Sequence, residues 1–130
     1  MTYLLDSNLI IAYFRTSELD HAASKDFIRK LDTFCICDYT LLEVMTVMLL
    51  KENKKDVERV LNFLRTNKDV TVLRLTQAEI GEALSLFIKQ SKKASFTDIS
   101  LMVLAKNRGL QLATFDTELS KTAKELFRKK

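Results

Sequence analysis

The stretch TYLLDSNLIIAYF, residues 2–14, decides how the rest of the chain is read. Tyr3, Leu4 and Leu5 form a short apolar run suited to a buried strand, and Leu9, Ile10 and Ile11 resume it. Between them stand Asp6, Ser7 and Asn8, residues that turn a chain or cap a helix. A strand through TYLLD followed by a helix from about Ser7 to Phe14 makes the opening β–α unit of an alternating fold. A carboxylate at such a joint is either a turn former or a piece of chemistry.

Working outward, the same alternation recurs. LDHAASKDFIRKL (19–31) has helical spacing through Ala22, Phe27, Ile28 and Leu31, and TFCIC (33–37) reads as a second strand. YTLLEVMTVMLLK (39–51) predicts a mostly buried helix, and KKDVERVLNFLRTN (54–67) an amphipathic one through Val57, Val60, Leu61 and Leu64. VTVLRL (70–75) alternates as a third strand, and Thr76 with Glu79 forms a capping box that opens a helix to about Gln90. TDISLMVLAKNRG (97–109) predicts a helix stopped by Gly109; LQLATFD (110–116) is a fourth strand and TELSKTAKELFRKK (117–130) a closing helix. Strands separated by helices pair in parallel through right-handed crossovers, with the sheet covered on both faces. The expected fold is a single α/β domain over residues 1–130, a three-layer α/β/α stack around a four- or five-stranded parallel sheet.

The bulk numbers agree with a soluble globular domain: 130 residues, 47% hydrophobic and 29% charged, with two glycines and no proline. No apolar run is long enough for a membrane span, and no basic region precedes the first one, so the chain is expected in the cytoplasm. Cys35 and Cys37, two apart on a strand, share one face and read as buried hydrophobes. His21, the only histidine, lies far from them, so zinc and disulfides are both excluded as expectations.

The remaining chemistry is acidic. Asp6 and Asp116 each close a predicted strand, Asp98 lies in the first turn of a helix, and Glu43 is the sole charge in YTLLEVMTVMLL. Each has a bland reading. Asp6 serves as an N-cap or Asx turn, Asp98 complements a helix dipole, Asp116 caps the last helix, and Glu43 completes a capping box with Thr40. Taken together they are less bland, because acids gathered at the carboxyl edge of one sheet must shift pKa, bind a cation or stay apart. That edge is also where open α/β sheets bind ligands. Carboxylates without His or Cys suit Mg2+ or Mn2+, with Ser7, Asn8 and Thr114 as supporting polar groups. Having no histidine for a general base, such a site would leave water activation in phosphodiester cleavage to the ion.

LLDSNLII, the acid Glu43 inside an apolar helix, TDISLMVLA and LATFDTEL, in that order, resemble the PIN-domain ribonucleases. The nearest in length and layout are the small VapC-type toxins of prokaryotic toxin–antitoxin pairs. The resemblance covers essentially the whole chain. It implies a PIN-like fold, a metal-dependent endoribonuclease, and Asp6, Glu43, Asp98 and Asp116 as catalytic metal ligands, with Asn8 and Thr114 on the supporting polar positions. It further implies an RNA substrate, a cognate antitoxin protein and a homodimer. Two departures stand out: the chain runs out at ELFRKK, without the fifth short strand common in the family, and glycine is scarce. Alternatives are a PIN nuclease of RNA processing without an antitoxin and a catalytically silent PIN-like module that binds RNA or protein.

With those four acids set aside, 13 acids remain against 21 bases, a surplus of eight positive charges away from the site. Arg15, Lys92 and Lys93 are the candidates for phosphate contacts, which give affinity without reading sequence. The helices over 19–32 and 54–67 carry apolar positions beyond the needs of one sheet face, which makes them candidates for a dimer or antitoxin interface.

Overall fold

Residues 2–66, 69–90 and 94–128 are described by a computed structural model. The opening unit forms as expected, with β1 over Tyr3–Leu5 and α1 over Ser7–Phe14. There follow α2 (His21–Arg29), β2 (Phe34–Cys37), α3 (Asp38–Lys51), α4 (Lys54–Thr66), β3 (Val70–Leu73), α5 (Gln77–Lys89), α6 (Phe96–Asn107), β4 (Gln111–Ala113) and α7 (Thr117–Arg128). The four strands pair in parallel in the order β3-β2-β1-β4. Among the described residues no fifth strand joins them, so β4 lies at the edge and β1 inside. From β1 the chain winds outward through β2 to β3, then returns to the opposite side of β1, placing the topological switch between β1 and β4.

Period-two alternation along the strands divides the core into two layers. Leu5, Phe34, Ile36 and Ala113 face the side covered by α1 to α4, against Ile10, Ile28, Val44, Met48 and Val60. Leu4, Cys35 and Cys37 face the other side, against Leu101, Leu104 and Ala105 of α6. The cysteines thus share a face and are buried, as their spacing predicts. Beyond α6, its residues Ile99, Met102 and Val103 pack with Ala83 of α5 and Leu119 of α7. Each fully buried Leu or Ile contributes about 1.5–3 kcal/mol through area removed from water.

Local chemistry fixes the helix ends. Thr76 and Glu79 form the expected capping box, and the Glu79 carboxyl, hydrogen-bonded by Arg108, is drawn down to about 2. At the end of α6, Gly109 adopts φ +64° and its N–H donates to Lys106 O, while Leu110 N donates to Ala105 O. That pair of bonds is the Schellman stop, which favours glycine.

Within the stretches over 19–32 and 54–67, Leu19 is fully exposed, while the other large apolar residues are at least partly buried. Phe27, Ile28 and Leu31, like Val57, Val60, Phe63 and Leu64, are spent on the core. Further exposed large hydrophobics lie on α3, at Leu42, Leu49 and Leu50, on α5, at Ile80, Leu84, Phe87 and Ile88, and on β3, at Val72. Apolar count alone could not separate these cases, because burial depends on which way each helix is rolled. Among the described residues no helix is long and apolar enough to cross a membrane.

Candidate active site

Asp6 leaves β1 at the switch point as the N-cap of α1, with its Oδ1 accepting from Ser7 N at 2.7 Å. Its Oδ2 accepts from the Thr114 hydroxyl at 2.7 Å, a bond spanning 108 residues of sequence. Thr114 in turn accepts from Asn8 Nδ2 at 3.2 Å and from Asp116 N at 3.0 Å. Asn8 Oδ1 accepts from Phe115 N at 3.3 Å, which closes the loop after β4 onto the start of α1. One hydroxyl therefore holds Asp6, Asn8 and the backbone of Asp116 in register. Ser7, Asn8 and Thr114 all meet at this joint, Ser7 through its backbone N–H.

Asp116 does not end the strand. β4 stops at Ala113, because its partner β1 stops at Leu5, and Asp116 stands three residues further on as the cap of α7, accepting from Leu119 N at 3.1 Å. The capping box between Thr40 and Glu43 is absent. β2 runs into α3 with no loop, so the helix begins at Asp38 and Thr40 lies inside it, fully buried, with its Oγ1 unpartnered among the described residues. Glu43 is thereby released from capping and stays open to solvent. Asp98 sits in the first turn of α6, where its N–H donates to the cap Ser95 Oγ at 3.1 Å.

Asp6 and Glu43 feel the charges of other acids in the set. Burial raises the pKa of Asp6, and the charges of Asp98 and Asp116 raise it further, against the lowering effect of its bonds from Thr114 and Ser7. Partial burial raises Glu43, with Asp6 and Asp98 adding to the rise. Carboxylates from α1, α3, α6 and the turn before α7 thus share one region of mutual repulsion. Among the described residues, however, no three Asp, Glu, His or Cys side chains are grouped closely enough to hold an ion as they stand.

The other donors are unsuited to a soft metal here. Burial pushes the Cys37 thiol up to about 12, and His21 is turned to the Ala12 carbonyl, with Nδ1 at 2.7 Å. Tyr39 is the polar group that the sequence reading passes over. It lies one turn before Glu43 on α3, and that spacing of four was the available clue.

Around the acids the candidate RNA contacts are unequal. Lys92 and Lys93 lie outside the described residues. Arg15 is engaged, with Nε donating to Glu52 at 2.7 Å and Nη1 to Glu18 at 2.6 Å. It lines a groove of about 450 Å³ that opens beside Asn8 and Phe115 and also includes Lys51, Glu18 and Asp20.

A parallel sheet in this order, with acids gathered at its switch point, describes a class of α/β fold that known proteins share. Residues 3–125 match the model of the PIN domain, and the chain belongs to that family. No curated protein matches it by sequence. Among solved structures it is similar to Mycobacterium tuberculosis VapC20, a sarcin-ricin loop cleaving toxin, with TM-score 0.81 and 17% identity over 92% of this chain and 94% of that one. It also resembles Rickettsia felis VapBC2 bound to a DNA fragment from its promoter, with TM-score 0.70 and 14% identity over 93% of this chain and 92% of that one. A toxin–antitoxin complex from Klebsiella pneumoniae matches with TM-score 0.67 and 17% identity over 89% of this chain and 88% of that one. At these identities the likeness is one of fold.

Proposed function

We propose that this chain is a metal-dependent endoribonuclease that cleaves RNA phosphodiester bonds and acts as the toxin of a toxin–antitoxin pair. The observation that carries the reading is the Thr114 hydroxyl, which ties Asp6 to Asn8 and Asp116 at the switch point of the sheet. The bond satisfies a buried carboxylate oxygen and at the same time fixes the direction of that carboxylate.

The donor set fits a hard divalent cation. Asp6, Glu43, Asp98 and Asp116 offer carboxylate oxygens only, while the nearby thiol of Cys37 stays protonated. These four residues would hold Mg2+ or Mn2+, whose charge offsets the repulsion among them. When bound, the ion supplies the Lewis acidity that phosphodiester hydrolysis requires. The chain's own part is orientation. Thr114 and Ser7 N–H fix both oxygens of Asp6, and Asn8 anchors the turn that carries Asp116. The surplus of basic residues away from the acids suits a polyanionic substrate.

The antitoxin is inferred from the company the fold keeps, since structural relatives include a toxin–antitoxin complex and VapBC2. An adjacent reading frame for a small DNA-binding protein would separate a toxin from a housekeeping RNA-processing enzyme. The same reading includes a homodimer, supported by the exposed apolar residues of α3 and α5.

The deciding experiment is cleavage of total and structured RNA with Mg2+ or Mn2+, with and without EDTA, by wild type, Asp6→Asn and Asp98→Asn. Cleavage by wild type alone, abolished by EDTA, is expected. Cleavage that survives both substitutions, or is indifferent to EDTA, rules out the assigned site.

A further inference from the structure

We infer that Tyr39 is a positioning residue of the acidic site, a rigid strut whose hydroxyl ties the helix of Glu43 to the first turn of the helix of Asp98. The hydroxyl donates to Thr97 O at 2.9 Å, and Thr97 directly precedes Asp98. At the other end, Tyr39 stands one helical turn before Glu43, so both project from the same face of α3. The path from Glu43 to Asp98 is therefore short: one turn of helix, one aromatic ring, one hydrogen bond and one peptide unit.

Both ends of the strut are held. Tyr39 N–H donates to Asp38 Oδ1 at 2.8 Å, and the ring packs against the cluster of Leu4, Cys35, Cys37, Leu101 and Leu104, between β1, β2 and α6. An aromatic side chain has two torsions to fix, so a ring set in this way transmits position with little give. What it resists is identifiable, because the like charge of Asp98 helps to raise the pKa of Glu43. Burial, with the nearby carboxylates of Asp6, Glu43 and Asp98, also keeps the phenol protonated, so it remains a donor. The hydrogen bond would otherwise be an ordinary surface tie. Its place between two of the four proposed ligands is what gives it a role.

This inference rests on the reading of the acids as a cation site, and its test separates the two. Tyr39→Phe keeps the ring and its packing and removes the tie. Mn2+ titrated calorimetrically into the protein without RNA is expected to bind the variant roughly tenfold more weakly, the scale for losing an outer hydrogen bond at a metal site. Amide exchange at Asp98 and Ile99 is expected to quicken, and Tyr3→Phe, which alters a hydroxyl elsewhere, is expected to change neither. Wild-type Mn2+ affinity in Tyr39→Phe, or unaltered exchange at the start of α6, overturns the strut. If wild type itself takes up no Mn2+, the metal reading falls. The strut is then judged by the exchange rates alone, which must quicken for it to stand.

Discussion

Thr114 meets three partners through one hydroxyl, donating to Asp6 and accepting from Asn8 and from the backbone N–H of Asp116. Thr114→Val keeps the shape and removes all three bonds, leaving a buried carboxylate oxygen and two N–H donors, of Asn8 and Asp116, to find water. Destabilisation of about 1–3 kcal/mol is expected from calorimetry, with cleavage reduced by about one to two orders of magnitude. Thr114→Ser should restore most of both. Asp6 makes a second prediction at this scale. Its pKa is raised in the fold, chiefly by burial, so between 3.8 and the raised value the folded chain holds a proton that the unfolded chain has released. Stability therefore falls as pH rises through that window and stays reduced above it. Asp6→Asn should flatten that part of the melting-temperature profile; an unchanged profile would show that the carboxylate is not strained. The acids themselves could be picked out of the sequence because a charge between apolar runs is conspicuous. Tyr39 could not, because half-buried aromatics beside a helix start are ordinary and only the folded contact with Thr97 sets it apart.

Among the elements, the two glycines make opposite demands. Gly81 lies within α5, where an added Cβ meets nothing within 4 Å, so Gly81→Ala should stabilise by about 0.5–1 kcal/mol through helix propensity alone. Gly109 has equal room, yet its φ of +64° closes α6, and Gly109→Ala should destabilise by about 1 kcal/mol. Chemical denaturation of the pair checks both signs. Helix ends of this kind were legible beforehand, because capping is a matter of residues three or four apart. The starts of α3 and the end of β4 were not. The first depends on β2 passing into helix without a loop, and the second on how short β1 is, since a ladder cannot outrun its partner.

For the whole molecule, alternation of strand and helix announced the three layers, but strand order is carried by crossovers that no local pattern encodes. The same blindness assigned surplus apolar surface to the helices over 19–32 and 54–67, where Leu19 is the large apolar residue left exposed among those described. In the fold most of it lies on α3 and α5, where Leu50 is 78% and Ile88 79% exposed. Light scattering should report a dimer, and Leu49→Glu with Leu50→Glu should weaken it while leaving the melting temperature near that of wild type. A strict monomer at high concentration would count against the dimer.

The bond between Asp6 and Thr114 also sets a clock. A ribosome makes residue 6 well before residue 114, so β1 waits for β4 while the 108 residues of separation are made. Until that last strand docks, Asp6 lacks its aiming hydroxyl and Asp116 does not yet exist. The acidic joint is complete only once β1 and the turn after β4 have come together.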